Sequence, residues 1–183
     1  MAPMRPLPEF RYHPDPLGTR SIVPSDDRCV VCGRVSGYIY VGPVYSSSVD
    51  TPVVCVECIA DGSAAERLNA QFTDAHPWAS EVPEEVAVEV LTRTPGFSGW
   101  QQEHWLAHCA DAAVFLGPVG IRELYHMPSE ATEAVRVELM STYRWPADEV
   151  DRYIDSLDRD GTPTAYVFRC RHCGTYLGYS DST

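Results

Sequence analysis

The spacing of apolar residues changes along this chain and divides it into β, helical and β stretches. Residues 1–24 hold six prolines, which forbid a helix there. Phe10-Arg11-Tyr12-His13 is aromatic enough that this extended arm is expected to lie on the body. GYIYVGPVY at 37–45 is rich in β-formers and reads as a strand broken near Gly42-Pro43. Residues 53–56 read as a second, short strand.

Apolar positions three and four apart then take over. Ser63-Ala-Ala-Glu66 fits a capping box, with Leu68 and Phe72 as an i,i+4 pair after it. Pro83 opens a helix carrying Val86 and Val90, ended by Thr94-Pro95-Gly96. Residues 99–117 fit a third helix, with Trp105, Cys109, Ala112 and Leu116 on one stripe. Residues 129–143 fit a fourth, with Val135 and Leu139 inward. A fifth begins at Trp145-Pro146, buries Val150, Tyr153, Ile154 and Leu157, and stops by Asp160-Gly161. The last two are expected to form an antiparallel pair. The C-terminus returns to β at 164–169 and 175–179, a hairpin around Cys170-Arg-His-Cys173-Gly174.

The pattern predicts an α+β fold. A β platform of cysteine knuckles from both chain ends carries a central helical region. The expected divisions are an arm and zinc-ribbon-like unit at 1–62, helices at 63–159 and a closing hairpin at 160–183, together one compact unit.

Composition narrows the function. The 183 residues carry 26 acids against 14 basic residues, a net charge of −12. Phosphate backbones are bound by clustered basic residues, so a nucleic-acid partner is not expected. No apolar run reaches the ~18 residues of a membrane span. The N-terminus lacks the apolar core of a signal peptide, and a cytoplasmic, reducing setting is expected. The densest acidic block is Asp148, Glu149, Asp151, Asp155, Asp158 and Asp160. It reads as a solvated face or as a surface for a basic protein partner.

Six of seven cysteines form three Cys-x-x-Cys pairs: Cys29/Cys32, Cys55/Cys58 and Cys170/Cys173. Two thiolates at this spacing sit on one tight turn and close on one ion. The Gly33 and Gly174 that follow supply the φ > 0 position of such a turn. The first four cysteines complete a tetrahedral Zn²⁺ shell, a structural site with no open position. The N-terminal unit, with few apolar residues of its own, is expected to depend on it. Cys170 and Cys173 need further ligands for a second zinc. Candidates are Cys109, His108, His104 and His13, with one of His108 and Cys109 expected rather than both, since neighbours on a helix diverge by ~100°. Two other readings stay open. One is a metal-dependent enzyme using the cluster His104, His108, Cys109 and Asp111, with His104 and His108 i,i+4 on one helix face and Asp111 nearly on the same side. The other is a thiol redox sensor at Cys170/Cys173.

Several long segments resemble the CbrC family, a bacterial family named for a colicin-tolerance protein. They are LPEFRYHPDPLGT (7–19), GYIYVGPVY (37–45), CVECIADGSAA (55–65), RTPGFSGWQQEHWLAHCADAAVFLG (93–117) and DGTPTAYVFRCRHCGTYLGYSD (160–181). The resemblance is weakest over 119–159. It implies a bacterial protein, linked through one member to tolerance of a nuclease colicin, with no established enzymatic activity. The family's cysteine positions fall here at 29, 32, 55, 58, 109, 170 and 173, with His108 adjacent. The reading that follows is a non-enzymatic, zinc-stabilised binding protein of a stress or colicin-tolerance response.

Overall fold

The computed structural model describes residues 6–47, 51–75 and 77–182. The first half contains β1 (Ile22–Arg28), β2 (Val35–Tyr40), β3 (Tyr45–Ser46), β4 (Val54–Cys55), α1 (Val56–Ala60), α2 (Ser63–Leu68) and β5 (Ala70–Gln71). A 3-10 turn at Trp78–Glu81 leads to α3 (Glu84–Arg93). Next come β6 (Ala107–His108), β7 (Asp111–Ala112), β8 (Val114–Val119), α4 (Ile121–Leu124), α5 (Ser129–Tyr143) and α6 (Ala147–Asp155). The chain closes with β9 (Thr164–Arg169) and β10 (Tyr176–Asp181).

The α+β class and the β units at both ends are as expected, and the platform consists of two sheets. One has the order β1-β2-β4 and the other β10-β9-β8. Pro83, Pro128 and Pro146 stand immediately before α3, α5 and α6 with φ between −56 and −66°. Their missing N–H costs nothing there, because that donor has no intrahelical acceptor. α5 ends where Arg144 turns left-handed (φ 56°) and its amide bonds the Met140 carbonyl. Among the described residues, no helix is long and apolar enough to cross a membrane.

Three apolar clusters fill the interior. The first surrounds β1, β2, β4 and α1 with Ile22, Tyr38, Tyr40, Val54, Ile59 and Phe72, joined by Phe10 of the arm. This corrects the expectation of an apolar-poor N-terminal unit. The second is aromatic: Phe97 stacks on Phe115 at 3.9 Å between centroids, flanked by Trp105 and Phe168. The third lies under α5, which crosses β10 and β9 with α6 beside it, and gathers Val135, Leu139, Val150 and Ile154 with Ala165 and Val167. The N-terminal arm lies on the body as expected. The Phe115 amide donates to the Tyr12 carbonyl (2.8 Å), and His13 is fully buried.

Two local expectations are corrected. Gly62, not Ser63, caps α2, and the Ser63 amide is taken up by the Asp61 carboxylate at 2.8 Å. The helix over 99–117 does not form. β6 and β7 make a hairpin there, and β8 pairs with β9 (Phe115 opposite Phe168). Burial from Val114 to Val119 alternates, with Phe115, Gly117 and Val119 inward and Leu116 outward. Alanines and leucines at helical spacing are outweighed by pairing with a strand fifty residues away, because β preference is set by such partners.

Candidate metal centres

Two knuckles share one local design. In RCVVCG (28–33) the Gly33 amide bonds the Cys29 carbonyl at 2.8 Å, and the Cys29 amide bonds the Arg34 carbonyl at 2.9 Å. In RCRHCG (169–174) the Gly174 amide bonds the Cys170 carbonyl at 3.1 Å, and the Cys170 amide bonds the Thr175 carbonyl at 2.8 Å. Gly33 and Gly174 have φ of 69 and 75°, values a Cβ would disfavour. In each, the arginine before the first cysteine donates its guanidinium to the carbonyl of that glycine. The turn aims two sulfurs to one side, and each knuckle recruits two further donors.

For the first knuckle the donors are Cys55, which precedes α1, and Cys58, within it. The four sulfurs lie within 4.8 Å of one another. Cys29 and Cys58 are 4.0 Å apart, and Cys32 and Cys55 are 3.8 Å. A disulfide needs ~2.0 Å, and all seven cysteines are free. A tetrahedral zinc with Zn–S bonds of ~2.3 Å places its sulfurs ~3.8 Å apart, which is the spacing present. Cys29, Cys55 and Cys58 are buried. Burial raises the Cys32 thiol, but hydrogen bonds from Arg34 and neighbouring thiols outweigh it and bring it down to about 6. Burial pushes Cys58 up to about 11, and Cys55 higher still. One thiolate forms readily and opposes the next, as like charges in one site do. A divalent cation removes that opposition.

The second set joins His108 and Cys109 to Cys170 and Cys173, again within 4.8 Å. Cys109 Sγ lies 3.8 Å from Cys173 Sγ, and His108 Nδ1 is 3.3 and 3.4 Å from those two sulfurs. A zinc-bound imidazole nitrogen and thiolate would stand ~3.6 Å apart. Contact with Cys173 pushes the Cys109 thiol up to about 11, while the Thr175 hydroxyl and amide lower Cys173. His108 and Cys109 both converge because they occupy a hairpin turn instead of a helix. His108 pairs with Asp111, leaving Cys109 and Ala110 as a two-residue loop with φ of 55 and 54°. Positive φ at both loop positions is the signature of the tight I′ hairpin, normally built with Asn or Gly. Here neither residue is glycine, and the turn is strained. Unlike the first set, this one lies at the surface, with Cys109 and Cys173 exposed.

The remaining candidates go elsewhere. His13 sits in the core, Nδ1 donating to the Pro95 carbonyl and Nε2 facing the Thr19 hydroxyl, both at 2.7 Å. Burial drives its pKa down to about 4. His104 packs edge-on against Tyr179 at 5.6 Å, outside both sets. Asp111 is buried and accepts from Tyr12 (2.7 Å), Arg171 (2.9 Å) and His172 (2.9 Å). Burial opposes its ionisation, but those donors outweigh it and hold its pKa below the usual carboxylate value. The helix face expected to carry His104, His108 and Asp111 therefore does not exist. Asp111 instead ties the two middle residues of the knuckle to the strand beside the 109–110 turn. The supporting roles of Arg28, Arg34 and Asp111 are not evident in the sequence. The repeated Arg-Cys-x-x-Cys-Gly was the available signal for Arg28 and Arg169.

The chain matches, over residues 7–182, the model of an uncharacterised protein family, UPF0167. It is 54% identical over 177 residues to UPF0167 proteins Mb2317 of Mycobacterium bovis and MT2352 of Mycobacterium tuberculosis, covering 96% of this chain and 93% of each relative. It is 42% identical over 171 residues to UPF0167 protein PA1536 of Pseudomonas aeruginosa, covering 92% and 93%. No solved structure matches the chain.

Proposed function

We propose that this chain, which belongs to the UPF0167 family, is a binding protein built around two structural zinc ions and is not an enzyme. Cys29, Cys32, Cys55 and Cys58 hold one ion; His108, Cys109, Cys170 and Cys173 hold the other. One observation carries this reading: each set brings four protein donors to zinc-like separations. Four donors close a tetrahedral shell and leave no position for substrate or water. Sulfur-rich sets with at most one imidazole favour zinc over harder ions. The bound metals would supply folding free energy and cross-link segments distant in sequence.

The setting we propose is bacterial stress or toxin tolerance, in the cytoplasm, and it rests on the resemblance to the CbrC family. The partner would be a basic protein drawn by the acidic surface. Within the 148–160 block, Asp148, Asp151 and Asp160 are ion-paired with Arg152, Arg136 and Arg20. Glu149, Asp155 and Asp158 are then the acids available to a partner. Cobalt substitution tests the closed shells. The visible spectrum of the Co²⁺ protein should be tetrahedral and unchanged by azide. A spectrum that shifts with azide would reveal an open position and return the enzyme reading.

The exposure of Cys109 and Cys173 favours a second reading, in which the outer site responds to oxidants. One hydrogen peroxide would take two electrons from these two thiolates and two protons from solvent, forming one disulfide and two waters, with release of the metal ion they held. Peptide mapping after mild peroxide should then find the 109–173 bridge, while the four cysteines of the inner set stay reduced.

A further inference from the structure

We propose that the free edge of β10 receives an extended, basic segment of a partner protein, which adds to the β10-β9-β8 sheet as a further strand. The proposal rests on the reading of this chain as a binding protein for a basic partner and names how that partner is held. β10 is the outermost strand of its sheet. The Cys170 amide bonds the Thr175 carbonyl, and pairing alternates along an antiparallel ladder, so Tyr176 and Gly178 turn their N–H and C=O groups away from β9. Among the described residues, no main-chain bond reaches those outward groups.

Sheet edges are normally blunted by proline, charge, a bulge, shortness or a covering segment. The other edges of the two main sheets follow that rule. β1 carries Pro24, Asp26 and Asp27, with a register shift between Ser25 and Arg28. β4 has only two residues. β8 holds Pro118 and a register shift between Phe115 and Gly117, and the N-terminal arm lies along it, where the Phe115 amide donates to the Tyr12 carbonyl. β10 follows none of these devices. It pairs with β9 over six residues in unbroken register, contains no proline, and has no charge before Asp181.

The edge is open at the end nearest the knuckle. Thr175 is exposed, Tyr176 and Leu177 are half-buried, and the strand is buried from Gly178 to Asp181. Residues 173–178 line a cavity of about 830 Å³ whose other wall is α5, with Ala134 and Val137 as apolar groups and Glu130 and Glu133 exposed. Glu133 also pairs with Arg136 at 3.3 Å. Arg169 is the one basic residue on that lining among the described residues. It is engaged, bonding the Gly174 carbonyl at 3.3 Å and lying over the Tyr176 ring at 5.5 Å. An extended segment would pair its main chain with Tyr176, set alternate side chains against the apolar wall, and bring its cations to Glu130 and Glu133. Charge favours this occupant over a second copy, since the chain itself carries a net charge of −12 and repels its like.

The zinc-loaded full chain would be titrated at low salt with acetyl-Arg-Val-Thr-Val-Arg-amide and with its neutral counterpart, acetyl-Ser-Val-Thr-Val-Ser-amide. Calorimetry reads affinity. Hydrogen exchange by NMR reads the Tyr176 amide, with the Leu177 amide, which faces β9, as internal reference. The basic peptide should bind one per chain and slow Tyr176 exchange by at least about tenfold at saturation, since a bonded amide exchanges only on opening. Replacing both exposed acids, Glu130→Arg with Glu133→Arg, should weaken it by about fivefold, as loss of two surface ion pairs does. Binding that leaves Tyr176 exchange unchanged overturns strand addition. Equal binding of the neutral peptide overturns the basic partner, and no saturable binding of either peptide at millimolar concentration overturns both. Dimers of the peptide-free chain in sedimentation, with Tyr176 already protected, would give the edge to a second copy and overturn the proposal. Metal content measured on the same samples keeps the zinc reading separate. Glu149, Asp155 and Asp158 are untouched in every arm, so the surface they form is judged separately as well.

Discussion

Replacing Ala110 by glycine should stabilise the protein, whereas replacing its neighbour Cys109 by glycine should not. Both residues have φ near +55° and both are exposed. An L-residue in that region costs ~1–2 kcal/mol. Glycine removes the strain but adds ~0.5–1 kcal/mol of unfolded-state entropy. The net gain for Ala110→Gly is thus ~0.5–1 kcal/mol, a rise in Tm of ~2 °C for a chain of this size. Cys109→Gly relieves the same strain and removes one of four donors to the outer zinc, so in the metal-loaded protein it should lower Tm. After chelation the ligand term vanishes, and the two variants should shift Tm upward alike. Thermal melts of wild type and both variants, with and without chelator, form the whole experiment. If Cys109→Gly follows Ala110→Gly in the loaded protein, Cys109 is not a ligand. If both variants melt lower even without metal, the turn is not strained.

Cys32→Ser should speed amide exchange through β1 and β2 while β9 and β10 keep their protection, since structural zinc contributes on the order of 10 kcal/mol apparent; unchanged exchange over 25–60 would sink this. Asp111→Asn should weaken the outer zinc site by ~10–100-fold, as loss of supporting hydrogen bonds does, and leave the inner site alone; equal affinities in a chelator competition would remove its clamp role. Acid should destabilise the fold through His13, whose pKa falls from 6.5 to about 4 on burial. The unfolded chain takes up the proton first, so this contribution is complete above pH 6.5 and is lost as pH falls from 6.5 to about 4, ~3 kcal/mol in all. Urea melts of wild type and His13→Asn across that window should diverge in slope, and parallel slopes would show that His13 titrates normally.

The parts legible in sequence are those fixed by near neighbours. Cys-x-x-Cys-Gly sets its own turn, and prolines 83 and 146 mark helix starts because a local donor is absent there. The stripe of Val135 and Leu139 shows which face of α5 is buried, since a helix reports its environment at period 3.6. The 99–117 segment was not legible. Its Ala and Leu spacing fits a helix, and only the remote β9 shows that Phe115 and Val119 belong to a strand. That error carried into the site. On a helix His108 and Cys109 diverge, so one ligand was expected, whereas a two-residue turn brings both to one point. Asp111 looked like a helix-face ligand because its partners, Arg171 and His172, are sixty residues away.

Metal content per chain tests the central claim most directly. Protein purified without added metal and weighed against its amino-acid concentration should contain two zinc ions. Cys32→Ser and Cys173→Ser should each contain one. A single zinc in wild type that persists in Cys173→Ser would reduce the outer set to thiols, and seven freely titrating thiols with no metal would contradict the account altogether.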